Sequence, residues 1–203
     1  WQGTVENAMV QGHYVQSLSW QVQPTAFLLG KVAVQVRLGA AEQAQLVSGS
    51  ALLQYHVLSG TVAVRDAIVR IPVQEVVREL RLPLPVEAQG RVIVQLQEYQ
   101  QGAPICQSTV GSVSWTQAKV KGMQQWIDLG AFDGNLSCSE GKLALQSVPN
   151  NILGLDITAE LHSSELLKVS GFIKPDPSLP RDIHDSMQFL GVADSQGRYP
   201  LNF

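Results

Sequence analysis

The side chains most often used in catalysis and metal binding are scattered along this chain of 203 residues. The four histidines lie far apart, and none belongs to a metal-binding spacing such as H-x-x-x-H; they are His13, His56, His162 and His184. His184 and Asp185 form the one adjacent His–acid pair, which we interpret as a surface pair on an amphipathic helix. The chain has neither a G-x-S-x-G elbow nor a Gly-rich phosphate loop. We therefore expect no catalytic residue, no metal site and no cofactor.

Cys106 and Cys138 are the only cysteines. In an oxidising compartment they can pair, and the loop of about 33 residues that they close would be worth roughly 3–4 kcal/mol by the chain-entropy relation. In a reducing compartment they would be two buried thiols. A zinc site is disfavoured because neither cysteine has a second ligand at short spacing. The residues alone leave the first two alternatives open.

The charge of the chain is low and mixed. Lys and Arg number 14, Asp and Glu number 17, and together they make up 15% of the residues, against about 25% in typical soluble domains. Glutamine, with 22 residues, fills much of the difference. With a net charge of −3 and no long run of one sign, the chain is not expected to bind nucleic acid.

The targeting signals of the chain are also limited. No stretch approaches the roughly 18–20 continuous apolar residues of a membrane-spanning helix. The chain begins at Trp1, inside a predicted strand and without an initiator methionine. We therefore expect that an N-terminal segment precedes it in the full protein.

The elements expected to organise the molecule are four related seven-residue stretches. They read GKVAVQV from Gly30, GRVIVQL from Gly90, GKLALQS from Gly141 and GRYPLNF from Gly197. Apolar residues two, four and usually six places after the glycine share one face of a strand, as period 2 requires. The glycine is expected to end a turn, where a positive φ angle is tolerated. We predict that the four copies occupy equivalent places in the fold.

A second motif, G-[TS]-V-x-[VW]-x-x-A-x-V, occurs at Gly60–Val69 and Gly111–Val120. These patterns predict a mainly β, antiparallel, curved or rolled sheet built from repeated strand units, with one or two short helices. No linker-like tract divides the chain, so residues 1–203 are predicted to form a single domain.

Two helices are predicted. Residues 72–80 have an apolar stripe at positions i, i+3, i+4 and i+7, which is formed by Val73, Val76, Val77 and Leu80. Residues 180–190 place Ile183, Met187 and Leu190 on one side. We expect both helices to cover the apolar face of the sheet. The four tryptophans are interpreted as core residues; they are Trp1, Trp20, Trp115 and Trp126.

The C-terminal run GFIKPDPSLPRDIHDSMQFLGVADSQGRYPLNF, from Gly171 to Phe203, resembles the end of the type II secretion system protein N family. The matching motif is "FLG…D…GRYPL", from Phe189 through Asp194 to Leu201. Further matches lie at Trp1–Gly3, at Leu18–Trp20 with Pro24–Gly30, and at Gly111–Ala118. The resemblance therefore spans nearly the whole chain.

The resemblance implies an accessory, non-catalytic component of the machinery that exports folded proteins from Gram-negative bacteria. It implies a periplasmic domain, anchored to the inner membrane by an N-terminal helix that this chain does not contain. The implied partners are other subunits of the apparatus, either the secretin or the inner-membrane platform proteins. A periplasmic location favours a disulfide between Cys106 and Cys138.

The resemblance does not specify which surface of the domain binds the partners. An open sheet exposes backbone donors and acceptors at its edge strands. The C-terminal strand contains Arg198 and Pro200, which commonly protect an exposed edge. We therefore expect partners to bind along the N-terminal strand, at Thr4, Val5 and Val10. The alternative function is a periplasmic carrier of lipids or other hydrophobic ligands, with an apolar β-groove similar in architecture to that of AsmA-like proteins.

Overall fold

The computed structural model describes residues 1–10, 13–39, 46–79, 87–122, 125–163 and 166–202. In these ranges the chain forms twelve β-strands: β1 Gln2–Val10, β2 His13–Gln23, β3 Lys31–Leu38, β4 Ser48–His56, β5 Thr61–Pro72, β6 Ala88–Gln101, β7 Cys106–Lys121, β8 Trp126–Ser139, β9 Lys142–Ser147, β10 Asp156–Leu161, β11 Leu167–Ile173 and β12 Tyr199–Asn202. Two α-helices accompany them, α1 Val73–Glu79 and α2 Arg181–Ser186. Two 3₁₀ helices span Pro24–Leu29 and Met187–Leu190.

All twelve strands belong to one sheet, in which the spatial order is the chain order. Each strand pairs antiparallel with its neighbours along the chain, so the sheet is a meander. In the part of the chain that is described, β1 and β12 are bonded on one side only, and the sheet is open. The prediction of a mainly antiparallel β fold with few short helices is confirmed.

The two faces of the sheet differ in chemistry. Residues directly opposite each other on neighbouring strands point to the same face. Val34 lies opposite Val22 on β2 and Leu53 on β4, whereas Gln35, one residue later, lies opposite Gln21. Alternating valine with glutamine thus builds one apolar and one polar face, and accounts for the high glutamine content at low charge.

The seven-residue stretches fall in every third strand, namely β3, β6, β9 and β12. The sheet therefore consists of four units of three strands each, and each copy occupies the third strand of its unit. Because three is odd and the sheet is antiparallel, successive copies run in opposite directions. Each copy is therefore the third strand of its unit, but neighbouring copies run in opposite directions in the sheet.

The glycines that open the copies are not all equivalent. Gly30, Gly141 and Gly197 precede their strands with φ angles of +67°, +78° and +74°, as a turn residue should. Gly90 instead lies inside β6, next to a register shift, with φ +112°. A side chain at this position would meet the Trp115 ring and the β7 backbone. The expectation that every such glycine ends a turn is therefore wrong at Gly90.

The second motif does not mark equivalent positions. Gly60 lies in the turn before β5, the second strand of its unit. Gly111 lies in the middle of β7, the first strand of the next unit. The similarity of these two stretches therefore reflects strand periodicity rather than a structural repeat.

The helix over residues 180–190 is confirmed as α2 followed by a 3₁₀ turn, and Ile183 and Met187 are buried. They belong to a core cluster, the C-terminal core, with Ala118, Ile127, Leu129, Ile173 and Leu179. This cluster joins β7 and β8 to β11. In a flat sheet β7 and β11 would lie about 19 Å apart, more than the width of one helix, about 10–12 Å. The sheet must therefore curl around α2.

Helix α1 begins at Val73, one residue after the predicted start, because Pro72 is the last residue of β5. Val73 is buried, and Val76 and Val77 are partly buried. The helix contacts β5 and β6. Leu80, the last residue of the predicted stripe, lies outside the described residues.

The molecule exposes a large surface. Its accessible area is 13083 Å², whereas a compact monomer of 22.1 kDa is expected to expose roughly 9,300 Å². The tryptophans contribute to this excess: Trp1 is fully exposed, and Trp20 and Trp126 are more than one-third exposed. The interpretation of the tryptophans as core residues is wrong for these three. Only Trp115 packs against the C-terminal core, where it stacks on Phe132 with ring centroids 5.4 Å apart.

Within the described ranges, no helix has both the length and the apolar character needed to cross a bilayer.

Candidate functional site

The histidines are dispersed in the structure as they are in the sequence. His184 and Asp185 lie on α2, where Asp185 is exposed and His184 partly buried. The Nε2 atom of His162 lies 3.1 Å from an Oε atom of Glu160. Among the described residues, no three His, Cys, Asp or Glu side chains are grouped so that they could hold a metal ion. The titratable side chains therefore do not point to a site for chemistry.

Cys106 and Cys138 form a disulfide, with their Cα atoms 6.1 Å apart. Cys106 begins β7, and Cys138 is the penultimate residue of β8. The bond ties two neighbouring strands together near the end of the sheet at which β8 turns into β9. The prediction of this disulfide is confirmed.

Asp194 organises the turn that leads into β12. Its Oδ1 atom accepts hydrogen bonds from the backbone N–H groups of Gln196, at 2.8 Å, and Arg198, at 2.9 Å. Its Oδ2 atom accepts a bond of 2.8 Å from Nε of Arg198. These bonds hold the pKa of the Asp194 carboxyl below its ordinary value, and the bond from the Arg198 backbone N–H has the largest effect on this pKa. The D…GR part of the C-terminal motif is thus a structural turn.

The C-terminal edge of the sheet is short and protected. β12 has only four residues, and Pro200 among them has no N–H group to offer. The guanidinium of Arg198 lies over the ring of Phe172 on β11, 4.3 Å from its centre, and so covers part of the polar face. These features leave little of β12 available to a partner strand.

The N-terminal edge is long and unprotected. β1 has nine residues and contains no proline, lysine or arginine. Thr4 is exposed and Val5 is 37% exposed. Val10 ends the strand, and its side chain lies outside the described residues. The three predicted edge residues therefore lie on one strand, two of them visibly accessible to solvent.

The hydrogen-bond pattern shows which backbone groups of β1 are free. The N–H of Val22 donates to the carbonyl of Trp1 at 2.8 Å. Hydrogen-bonded and non-hydrogen-bonded pairs alternate along an antiparallel ladder, so the next bonded pair is Gly3 with Trp20. The backbone N–H and C=O of Gln2 and Thr4 therefore point away from β2, towards any partner at the edge.

Trp20 reinforces this edge. A side chain at Gly3 would collide with the indole ring of Trp20, so the ring lies directly over the glycine backbone. A large aromatic side chain that covers a glycine in a neighbouring strand restores the packing that glycine lacks. β1 is thus held in the sheet although most of its own side chains are exposed.

Next to this edge, the apolar face of β2 to β5 is only partly covered. Trp20, Leu53, Tyr55 and Val62 are each 36–45% exposed. None of them belongs to the C-terminal core. An unfilled apolar surface therefore adjoins the free edge.

Sequence reasoning missed an exposed apolar cluster, which we call the tip. It consists of Phe27, Leu28, Leu29, Val57 and Leu58. The run FLL before a glycine was the available signal, because a turn next to a strand is usually polar.

Comparison with known proteins identifies the family. The model of the family "Type II secretion system (T2SS), protein N" matches residues 1–202. Type II secretion system protein N of Vibrio cholerae is 27% identical over the whole of this chain and 79% of its own length. The Aeromonas hydrophila protein of the same name is 25% identical over the whole chain and 79% of its length, and the Klebsiella pneumoniae protein is 25% identical over 98% and 77%.

No solved structure matches the fold. The family match covers both edges of the sheet, the Asp194 turn and the C-terminal core. The chain therefore belongs to the type II secretion system protein N family, a component of the type II protein secretion machinery.

Proposed function

We propose that this chain is an accessory, non-catalytic component that supports the assembly or stability of the envelope-spanning secretion complex through protein–protein contacts. The observation that carries the proposal is the contrast between the two edges of the sheet. A long free edge with neither proline nor basic residues is a ready template for another strand, and natural sheets usually block such edges. The open edge at β1, in contrast to the protected edge at β12 on the other side of the sheet, supports a docking role for β1.

The binding mode is strand addition. A partner strand would pair with the outward-facing backbone groups of Gln2 and Thr4, and backbone hydrogen bonds would supply affinity. Val5 lies on the apolar face, next to partly exposed Trp20, and would contact an apolar side chain of the partner. Val10 would end the paired segment.

The partners are other subunits of the apparatus, the secretin or inner-membrane platform proteins. The domain would work in the periplasm, anchored to the inner membrane through an N-terminal helix in the full protein. A disulfide is compatible with such an oxidising compartment. We also propose that residues 1–203 act as one domain, because a single sheet runs through the described strands.

A pair of substitutions at Thr4 tests the edge. Thr4→Pro removes an outward N–H group without removing a β1–β2 hydrogen bond, whereas Thr4→Ala keeps the N–H group and serves as the matched control. Each variant would carry a photo-crosslinking amino acid at Gln2 in cells. We expect Thr4→Pro to lose secretion and crosslinking to a secretion subunit, and Thr4→Ala to retain both.

If Thr4→Pro folds normally, secretes and crosslinks like the wild type, strand addition at this edge is wrong. Extending the proline series to alternate positions up to Val10 would show where the paired segment ends. Normal secretion by every folded variant of the series would exclude β1 as the docking strand.

A second candidate function is transport of a lipid or another hydrophobic ligand, and it is favoured by the partly exposed apolar face of β2 to β5. Leu53 and Val62 would contact the ligand there. Extraction of the purified protein with organic solvent should then release a lipid in stoichiometric amount, and Leu53→Lys should abolish its retention. Protein that is free of lipid after gentle purification from membranes would argue against this function.

A further inference from the structure

We propose that the tip, formed by Phe27, Leu28, Leu29, Val57 and Leu58, inserts into the headgroup region of a lipid bilayer that contains anionic lipids. This contact is independent of the proposed strand addition, because it uses residues between strands rather than an edge. The occupant that we infer is a membrane surface.

All five residues of the tip are more than half exposed. Leu28 is 88% exposed, Leu29 75% and Leu58 98%, while Phe27 and Val57 are each 55% exposed. Scattered exposed apolar residues are normal on protein surfaces, but a contiguous group of five usually marks an interaction site. Packing within the sheet therefore does not account for the exposure of these five apolar side chains.

The backbone holds the two segments of the tip together. The first segment is the 3₁₀ helix Pro24–Leu29, which ends at Gly30 with φ +67°. The N–H of Val57 donates to the carbonyl of Gly30 at 3.0 Å, and Lys31 lies opposite His56 in the β3–β4 ladder. The tip is thus one feature built from two neighbouring connections.

The position of the tip favours a planar target. Both connections lie at the same end of the sheet, because β2 ends and β3 begins there, and β4 ends and β5 begins beside them. The tip therefore lies beyond the ends of these strands. β1 begins at the same end, because Gln2 pairs with Gln21, but its free backbone groups face sideways across the sheet, whereas the tip continues along the strand direction.

The charge around the tip favours an anionic surface. Residues 21–34 and 54–64, which form the tip and the strand ends next to it, contain Lys31 and no Asp or Glu, in a chain whose net charge is −3. Lys31 lies two residues after Leu29, at the start of β3. Leucine and phenylalanine beside basic residues are typical of segments that bind the interface of anionic membranes.

The size of the tip argues for lipid over protein. A standard protein interface uses about 20–30 residues on each side, and the tip offers five. A few exposed apolar side chains at the end of a sheet can enter the headgroup region, where each buries its surface without a complementary pocket.

Vesicle binding tests the proposal directly. The purified chain would be mixed with vesicles of phosphatidylcholine containing about one-third phosphatidylglycerol, and with vesicles of phosphatidylcholine alone, followed by flotation. We expect binding to the anionic vesicles, and weaker binding to the neutral ones. The double substitution Leu28→Ser and Leu58→Ser should weaken binding by at least about tenfold, because two of the most exposed apolar side chains are removed.

Matched controls lie at the opposite end of the sheet. Phe189 is 65% exposed and Val192 is 89% exposed, so the double substitution Phe189→Ser and Val192→Ser removes comparable apolar surface elsewhere. This variant should bind vesicles like the wild type. Lys31→Gln should reduce binding to anionic vesicles and leave binding to neutral vesicles unchanged.

Three results would overturn the proposal. They are a wild-type chain that floats with neither vesicle, a tip variant that binds as well as the wild type, and a control variant that loses as much binding as the tip variant. A tip variant with normal vesicle binding but lost crosslinking to another subunit would assign the tip to a protein partner instead. Circular dichroism of each variant confirms that it is folded.

Discussion

Leu53 and Leu129 lie on the apolar face of the same sheet, but they have different surroundings. Leu129, on β8, is 3% exposed because α2 and the segments around it cover that part of the face. Leu53, on β4, is 39% exposed because no comparable element among the described residues covers β2 to β5. The C-terminal half of the sheet is therefore a filled core, and the N-terminal half is an open surface.

The difference shows that strand pattern and coverage are separate properties. The two halves have the same period-2 alternation and the same three-stranded units. Among the described residues, the C-terminal half alone is followed by a long segment, residues 174–190, that returns to the sheet with Leu179, Ile183 and Met187. A half without such a segment keeps its apolar face available for a partner or ligand.

The largest effect is expected from the same substitution made in each half. Leu129→Ala should lower the free energy of unfolding by about 2–5 kcal/mol, because it leaves a cavity in a closed core. Leu53→Ala should cost about 1.5 kcal/mol, because the three carbons that it removes are worth about 0.8 kcal/mol each when fully buried and this residue is 39% exposed. Urea denaturation of both variants measures the two values. Equal losses would show that the N-terminal half is covered as well.

Loss of the disulfide is expected to have an effect of similar size. Cys106→Ser with Cys138→Ser should destabilise the fold by roughly 3–4 kcal/mol, because the unfolded chain is no longer restricted by a loop of about 33 residues. Thermal unfolding with and without reductant measures the same change in the wild type. Intact mass and thiol labelling serve as the check: free thiols on both residues without reductant would falsify the bond.

A smaller effect is expected at α1, beside the boundary between the halves. Val73→Ala removes two buried methyl groups, and at about 0.8 kcal/mol for each carbon it should cost roughly 1.6 kcal/mol. Gln74→Ala is a suitable control, because Gln74 is exposed on the same helix. Melting temperatures of the two variants can be compared directly. An unchanged melting temperature for Val73→Ala would mean that α1 does not contribute to the core.

The smallest effect is expected at the Asp194 turn. Because its hydrogen bonds lower the pKa of this carboxyl from the ordinary 3.8, the stabilisation is complete above about pH 4 and is lost as the pH falls further. Asp194→Asn should therefore reduce the protection of the β12 amides against hydrogen exchange at neutral pH, and the remaining protection should no longer decrease when the pH falls below about 4. Glu140→Gln, in the exposed turn after β8, is the control. Wild-type exchange in the Asn variant would contradict the assigned role.

Much of the fold follows from local patterns. The alternation of Val32, Val34 and Val36 with polar residues predicts a strand and its apolar side, because successive residues of any strand point to opposite faces. The spacing of Ile183 and Met187 likewise predicts the covering helix. The family resemblance was available from the C-terminal motif, whose Asp194 and Gly197 shape a local turn.

Other features depended on distant contacts. Gly90 has the same sequence context as Gly30, but it lies inside a strand because Trp115, 25 residues later, packs across it. Trp1 and Trp20 are large apolar residues of a type expected in a core, yet they lie at an edge of the sheet where little covers them. The run FLL before Gly30 marks an unusually apolar turn, but whether such a turn is exposed depends on what packs against it in the fold.

Local patterns predict the strands and the apolar side of each, because an extended backbone places alternate residues on opposite faces without reference to the rest of the chain. Which part of the apolar face is covered, and which edge is free, depends on the complete fold. Coverage depends on where residues 174–190 return to the sheet, and the free edge depends on no other described strand pairing with β1. Both are properties of contacts between segments far apart in the chain, so no local pattern specifies them.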